Sequence, residues 1–174
     1  MRCVTLFLAV SLDGFLADSS GGIGWLEEAG GDGGAYGDFI RQVDTVVMGW
    51  NTYRQITEEL SPGQWVYEGL TSYVVTHRSL PSAPQIRFVQ DSPCTLVRRL
   101  REEDGSGIWI CGGADIARQL MEEDLIDCYD LFYVPLILGG GIPLFPSAGP
   151  RLSMELVQAG RAGSLGRMTF RRRR

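Results

Sequence analysis

A chain of 174 residues has the length of one domain and can bury about 70% of the surface its unfolded form exposes, so residues 1–174 read as a single domain that needs no structural staples. All 16 basic residues are Arg, which excludes a lysine Schiff base and the lysine of a phosphate-binding P-loop, and the single His, His77, excludes multi-histidine metal centres, so no metal site is expected. The net charge is −5, and without the terminal run Arg171–Arg174 the body carries 12 basic against 21 acidic side chains, which excludes the basic face of a nucleic-acid binder.

Strand-like apolar runs alternate with helical patterns along the chain, the rhythm of an α/β fold with a largely parallel sheet. Cys3–Val10 (CVTLFLAV) is the first strand. The stretch Ser11–Gly34 that follows is polar and Gly-rich, and too long for a plain connector. Ala35–Gln42 can form a short helix, Thr45–Met48 is a second strand, and Thr52–Leu60 is a helix broken by Pro62-Gly63. Ser72–Thr76 and Ile86–Val89 are two short strands. Ser92–Glu103 is a helix with Ser92 at its cap, Pro93 at its first position and an apolar stripe of Leu96, Val97 and Leu100. Ile108–Cys111 is a buried strand, Ala114–Glu123 a helix, and Cys128–Val134 a further strand. Ser153–Ala159 and Arg167–Arg172 form a hairpin around Gly160–Gly166, which makes the sheet mixed.

The candidate chemistry lies where strands run into helices. In IWICGGADIARQL (Ile108–Leu120) a buried strand ends in Gly112-Gly113 and a helix starts at once. Glycine lets backbone approach a ligand closely, and the helix start offers unpaired N–H groups that suit a phosphate. Asp115 in the first turn would compete with an anion there. VVMGWNTYRQI (Val46–Ile56) is a second such junction, and YVVTHRSL (Tyr73–Leu80) ends a third strand with Thr76, His77 and Arg78. Ligands of open α/β sheets bind outside the carboxyl ends of the strands. No GxGxxG occurs, so a dinucleotide would have to be held without the usual fingerprint.

These segments, with SLDGFLA (Ser11–Ala17), GGIGWL (Gly21–Leu26), DTVVMGWNTY (Asp44–Tyr53) and VPLILGGGIPLF (Val134–Phe145), resemble the dihydrofolate reductase superfamily. The nearest branch is the one similar to the reductase domain of the riboflavin-biosynthesis protein. The motifs stand in the family's order from about Arg2 to Phe170. The resemblance implies a three-layer αβα sandwich around a mixed, mostly parallel sheet with a C-terminal antiparallel hairpin. It implies a reductase using NADPH, with NADH not excluded, to transfer a hydride to a pteridine, a ribosylaminopyrimidine or a related heterocycle. By the same likeness Gly112, Gly113, Ala114, Asp115 and Ile116 would hold the pyrophosphate, Gly49, Trp50, Asn51 and Thr52 the adenosine-side phosphates, and Thr76, His77 and Arg78 the adenine ribose. Leu16 and Ala17 would line the nicotinamide. Trp50 stands where family members commonly carry an Arg for the 2′-phosphate, which leaves Arg54 and Arg78 as replacements.

On the substrate side the resemblance points to a pocket of Val10, Asp13, Trp25 and Gly139. Folate reductases use a carboxylate on the first helix to hold the ring. Here Asp13 is the first candidate for a catalytic carboxylate and Asp38 the second, with Asp32 just before that helix. Asp13-Gly14 also reads as a plain turn. Trp25 would wall the pocket or anchor the loop. The alternative function is a non-catalytic nucleotide-binding module of the same fold, and a weaker third reading is an Arg-tailed interaction protein. The bland expectation for Arg171–Arg174 is a solvated tail. Of the four cysteines, Cys3, Cys111 and Cys128 fall in apolar strands as buried hydrophobes, and none forms a CxxC pair. With no secretory or membrane-spanning segment a cytoplasmic location and reduced thiols are expected, with no membrane partner. The family likeness suggests a homodimer.

Overall fold

In the computed structural model, which describes residues 1–174, the apolar runs line up as one eight-stranded sheet. Its strands are β1 (Val4–Ser11), β3 (Val43–Gly49), β4 (Thr71–Val75), β5 (Ile86–Val89), β6 (Gly107–Gly112), β7 (Cys128–Val134), β9 (Met154–Ala162) and β10 (Leu165–Arg172). Their order is β5-β4-β3-β6-β1-β7-β10-β9. The pairings from β5 to β7 are parallel, and β10 pairs antiparallel with both β7 and β9. A two-stranded ribbon, β2 (Phe15–Ala17) with β8 (Ile142–Pro143), lies outside the main sheet. The fold is α/β, a sandwich of helices on both faces of a mixed, mostly parallel sheet.

The central strands read as unbroken apolar runs because both of their faces are covered. In β1, Leu6, Leu8 and Val10 join one core, while Phe7 points into the other. In β6, Ile108 and Ile110 share the first core and Trp109 enters the second. The first core is closed by α3 (Pro93–Glu102) and α4 (Ala114–Glu122) through Leu96, Val97, Leu100, Ile116 and Leu120. The second is closed by a 3-10 helix (Gly24–Ala29), α1 (Ala35–Ile40) and the segment α2 (Trp50–Gln55) that runs into a π turn (Ile56–Leu60). Each fully buried Leu or Ile contributes roughly 1.5–3 kcal/mol by leaving water. On the side of the second core the Trp109 indole N–H donates to Phe7 O at 2.9 Å, a side-chain tie between β6 and β1.

Several expectations from the sequence need correction. The C-terminal hairpin has a turn of only Gly163-Ser164, and Gly160 and Gly166 lie inside its strands. The tip is tight because it carries the long first loop: Ser164 N donates to Gly31 O at 3.0 Å. That loop holds β2 and the 3-10 helix. Arg171–Arg174 is not a solvated tail. Arg171 and Arg172 belong to β10, Arg172 pairs with Asp124 at 2.7 Å, and Arg174 pairs with Asp127 at 2.5 Å. The helix after β3 starts at Trp50, because extended Gly49 already ends the strand. Cys3 is exposed, since β1 begins one residue later, and all four cysteines are free thiols. No helix is long and apolar enough to cross a membrane.

Candidate functional site

Parallel pairing brings distant sequence segments to one edge of the sheet. Gly49 at the end of β3 lies beside Val75 at the end of β4, and Met48 lies beside Gly112 at the end of β6. These carboxyl ends open onto a cleft of about 1600 Å³. Leu16, Ala17, Gly49, Trp50, Asn51, Thr52, Arg54, Thr76, His77, Arg78, Gly112, Gly113, Ala114, Asp115 and Ile116 all line it. The sequence-predicted cofactor residues therefore meet on one surface.

The floor of the first half is backbone. Gly112 has φ of +143°, where a side chain would be strained, and the Gly112–Gly113 peptide is cis. Gly113 is the N-cap of α4, and no side chain caps that helix. Its first N–H groups are left to face a ligand, with the positive end of the helix dipole behind them. Asp115 does not compete for that place. Its carboxylate accepts from Arg118 at 2.6 Å and from Gln119 at 2.7 Å, and the Arg118 hydrogen bond holds its pKa below the ordinary value. Gly49 sits close under Ile116: a Cβ there would stand 3.2 Å from Ile116 Cγ1, so Ile116 would have to shift to admit one.

The rim of this half is cationic and aromatic. Arg78 lies over the Trp50 ring, 4.8 Å from its centroid. Arg78 makes no ion pair, whereas Arg54 has a loose contact of 4.0 Å with Glu58. Trp50 also packs near Tyr53 and Phe88. Trp50 thus carries a guanidinium on its face.

Part of the remaining lining is apolar. Phe7, Ala9, Leu16, Ala17, Ile23, Leu26, Trp109 and Ile142 form it, with Cys111 between them. The Cys111 thiol and the Tyr67 hydroxyl are 3.2 Å apart. Burial pushes the Cys111 thiol up to about 11 and raises Tyr67 well above its ordinary value. Burial, and then Cys111, also raises the pKa of Tyr36 on α1. Tyr36 and Tyr67 both pack edge-on against Trp109, at 5.9 and 5.0 Å between centroids.

The expected substrate-side residues lie elsewhere. Asp13 is spent on the loop it begins. It accepts from Ser11 Oγ at 2.6 Å, Gly139 N at 2.8 Å and Leu138 N at 3.1 Å, and Ser11 is the main reason its pKa is lowered. Gly139 is therefore a loop donor to Asp13. Val10 and Trp25 are buried in the two cores and do not line the cleft. Asp38 is exposed and pairs with Arg41 at 2.5 Å. Asp32 accepts from Tyr36 N at 2.7 Å at the start of α1. The sequence reading missed Phe7, Trp109, Cys111, Ser92 and the Ser19–Ile23 turn as cleft residues. For Phe7 and Trp109 a signal existed, because their period-2 alternation puts both on one face of the sheet.

The model of the RibD C-terminal domain matches residues 2–164. YwjB of Bacillus subtilis, an uncharacterized protein, is 40% identical over 148 residues, with 83% of each chain covered. A Shewanella sp. PV-4 structure, of a protein described as a candidate riboflavin biosynthesis protein, superposes with a TM-score of 0.82 at 26% identity, over 99% of both chains. The Thermotoga maritima diaminohydroxyphosphoribosylaminopyrimidine deaminase/5-amino-6-(5-phosphoribosylamino)uracil reductase shares the fold. It has a TM-score of 0.70 at 20% identity, with 99% of this chain matched to 57% of that one. The chain belongs to the RibD C-terminal domain family, with the dihydrofolate-reductase-like fold of its riboflavin-biosynthesis reductase domains.

Proposed function

We propose that the chain is a reductase that takes NADPH, with NADH the weaker alternative, and reduces a heterocyclic ring. The observation that carries the reading is the first half of the cleft, where an uncapped α4 start, a glycine floor and unpaired Arg78 over Trp50 converge. These features fit a dinucleotide: backbone N–H groups suit its pyrophosphate, the Trp50 face its adenine, and Arg78 its 2′-phosphate. Bound there, the nicotinamide supplies a hydride. Leu16 and Ala17 line the apolar half and exclude water from its ring.

Thermal shift with NADPH, NADP, NADH and NAD in parallel is the first test. A ligand at about a hundred times its Kd adds roughly 2.7 kcal/mol, or on the order of 5–10 °C for a chain of this size. The largest shift is expected with NADPH and NADP, and no shift with any of the four overturns the reading. Cofactor binding without oxidation of NADPH across pterins and aminopyrimidines leads to the non-catalytic nucleotide-binding module. A homodimer remains part of the proposal, with the exposed Leu156 and Val157 of edge strand β9 as its surface. Light scattering should then give twice the 19.2 kDa chain mass.

A further inference from the structure

A second cavity, of about 450 Å³, lies where the hairpin β9–β10 meets β7, and it shares no lining residue with the cleft. The hairpin is amphipathic there. On β10, Arg167, Thr169 and Arg171 stand on one face and Met168 and Phe170 on the other. Phe170 and Met154 of β9 pack against the first core, but the helix of that core, α4, lies over β3 and β6. To the cavity α4 gives Arg118 and Met121, and the loop after β8 gives Phe145, Pro146 and Leu152. One polar group of the lining is unsatisfied. Tyr129 is 2% exposed, and its buried hydroxyl has no hydrogen-bond partner. Nearly all buried polar groups are paired, because an unpaired one loses its water for nothing in return. Burial raises the pKa of Tyr129, so the phenol keeps its proton and is a donor.

We propose that this cavity is a second ligand site, for a neutral aromatic compound whose carbonyl or ether oxygen accepts the hydrogen bond of the Tyr129 hydroxyl. The site stands apart from the reductase reading and does not depend on it. Its volume falls within the roughly 300–1,000 Å³ of small-molecule pockets. Tyr133, Phe145 and Phe170 offer ring faces and edges to a planar guest, and the flexible thioethers of Met121 and Met154 adapt to it. Arg118 does not call for an acid, since Asp115 at 2.6 Å and Glu122 at 2.7 Å already hold its guanidinium. A second copy of the chain could also cover the apolar face of β10. Apolar side chains from a copy would leave the Tyr129 hydroxyl unpaired, whereas an acceptor on a small guest pairs it.

Methyl NMR of the whole chain, with its five methionines labelled at the ε carbon, tests this with acetophenone and its oxygen-free counterpart ethylbenzene. Acetophenone should shift the Met121 and Met154 methyls and leave Met48, buried beside Gly112 at the cleft, unmoved. Ethylbenzene should shift the same two methyls but bind about threefold to tenfold more weakly, the scale of one neutral hydrogen bond. Tyr129→Phe should close that gap and keep the ethylbenzene affinity. Leu152→Trp, which fills the cavity, should remove both ligands, and thermal melts check that each variant folds. Equal affinity for the two rings, a gap that survives in Tyr129→Phe, or shifts at Met48 in place of Met121 and Met154 overturns the proposal. So does a dimer in sedimentation that Met168→Glu separates into single chains, because a second copy would then be what covers this face. A missing NADPH thermal shift would instead sink the reductase reading and leave this site as it stands.

Discussion

The two halves of the cleft are built by opposite means. The half proposed for the dinucleotide is made of backbone at strand-to-helix junctions, Gly49–Thr52 and Gly112–Ile116, where a few consecutive residues suffice. The apolar lining is made of side chains from β1, β6 and the first loop, gathered across as many as a hundred positions; Phe7 and Trp109 meet there with ring centroids 6.2 Å apart. A junction offers backbone N–H groups that do not depend on residue identity. A wall of side chains changes with each substitution.

The sharpest way to break that contrast is Gly49→Val. Its added bulk meets Ile116 at the floor of the dinucleotide half, and NADPH affinity should fall by about ten- to hundredfold. Calorimetry checks this. Arg78→Ala comes next. It removes the free guanidinium over Trp50, so NADPH should weaken about tenfold while NADH is unchanged. Equal losses for both cofactors would mean that Arg54 holds the 2′-phosphate.

Asp13→Ala should leave both cofactor and ring affinity intact, because the carboxylate is already committed to Leu138 and Gly139. Its effect is on stability, a Tm lower by a few degrees. The Ser11 hydroxyl lowers the Asp13 pKa, so this stabilisation is present above the ordinary carboxylate pKa and is lost as pH falls through the lowered one. The variant should lose part of the acid limb of the stability curve. A large fall in turnover at neutral pH, with Tm unchanged, would return Asp13 to the catalytic role.

The smallest effect is at Cys111. Burial holds its thiol up to about 11 against an ordinary value of 9.0, so the unfolded chain ionises first. Stability from this group should fall as pH rises between those two values, and Cys111→Ala should flatten that alkaline limb in urea titrations. At pH 8 Cys111 should also react slowly with iodoacetamide, being a thiol and not a thiolate.

Much of this protein was legible in its residues. The alternation of apolar runs with helical patterns fixes an α/β sandwich, because strands buried on both faces must be apolar throughout. Ser92-Pro93 marks the start of α3, and its side-chain cap is present, with Thr95 N donating to Ser92 Oγ at 3.1 Å. The strand-to-helix junctions were visible too, since their chemistry is local.

What the residues alone left open were choices between partners far apart in sequence. Asp13 could turn a loop or touch a substrate, and only the folded position of Leu138–Gly139, more than 120 residues on, spends it. Arg171–Arg174 read as a solvated run, yet Asp124 and Asp127 come within reach only after β7 and β10 pair. Cys111 and Tyr67 carry no shared motif, and only the folded chain brings the thiol within 3.2 Å of the hydroxyl. Sequence determines the local geometry of turns, caps and strands, because those depend on neighbouring residues. The tertiary structure decides which charges are spent and which stay free, because a side chain's partner is set by where the whole chain closes.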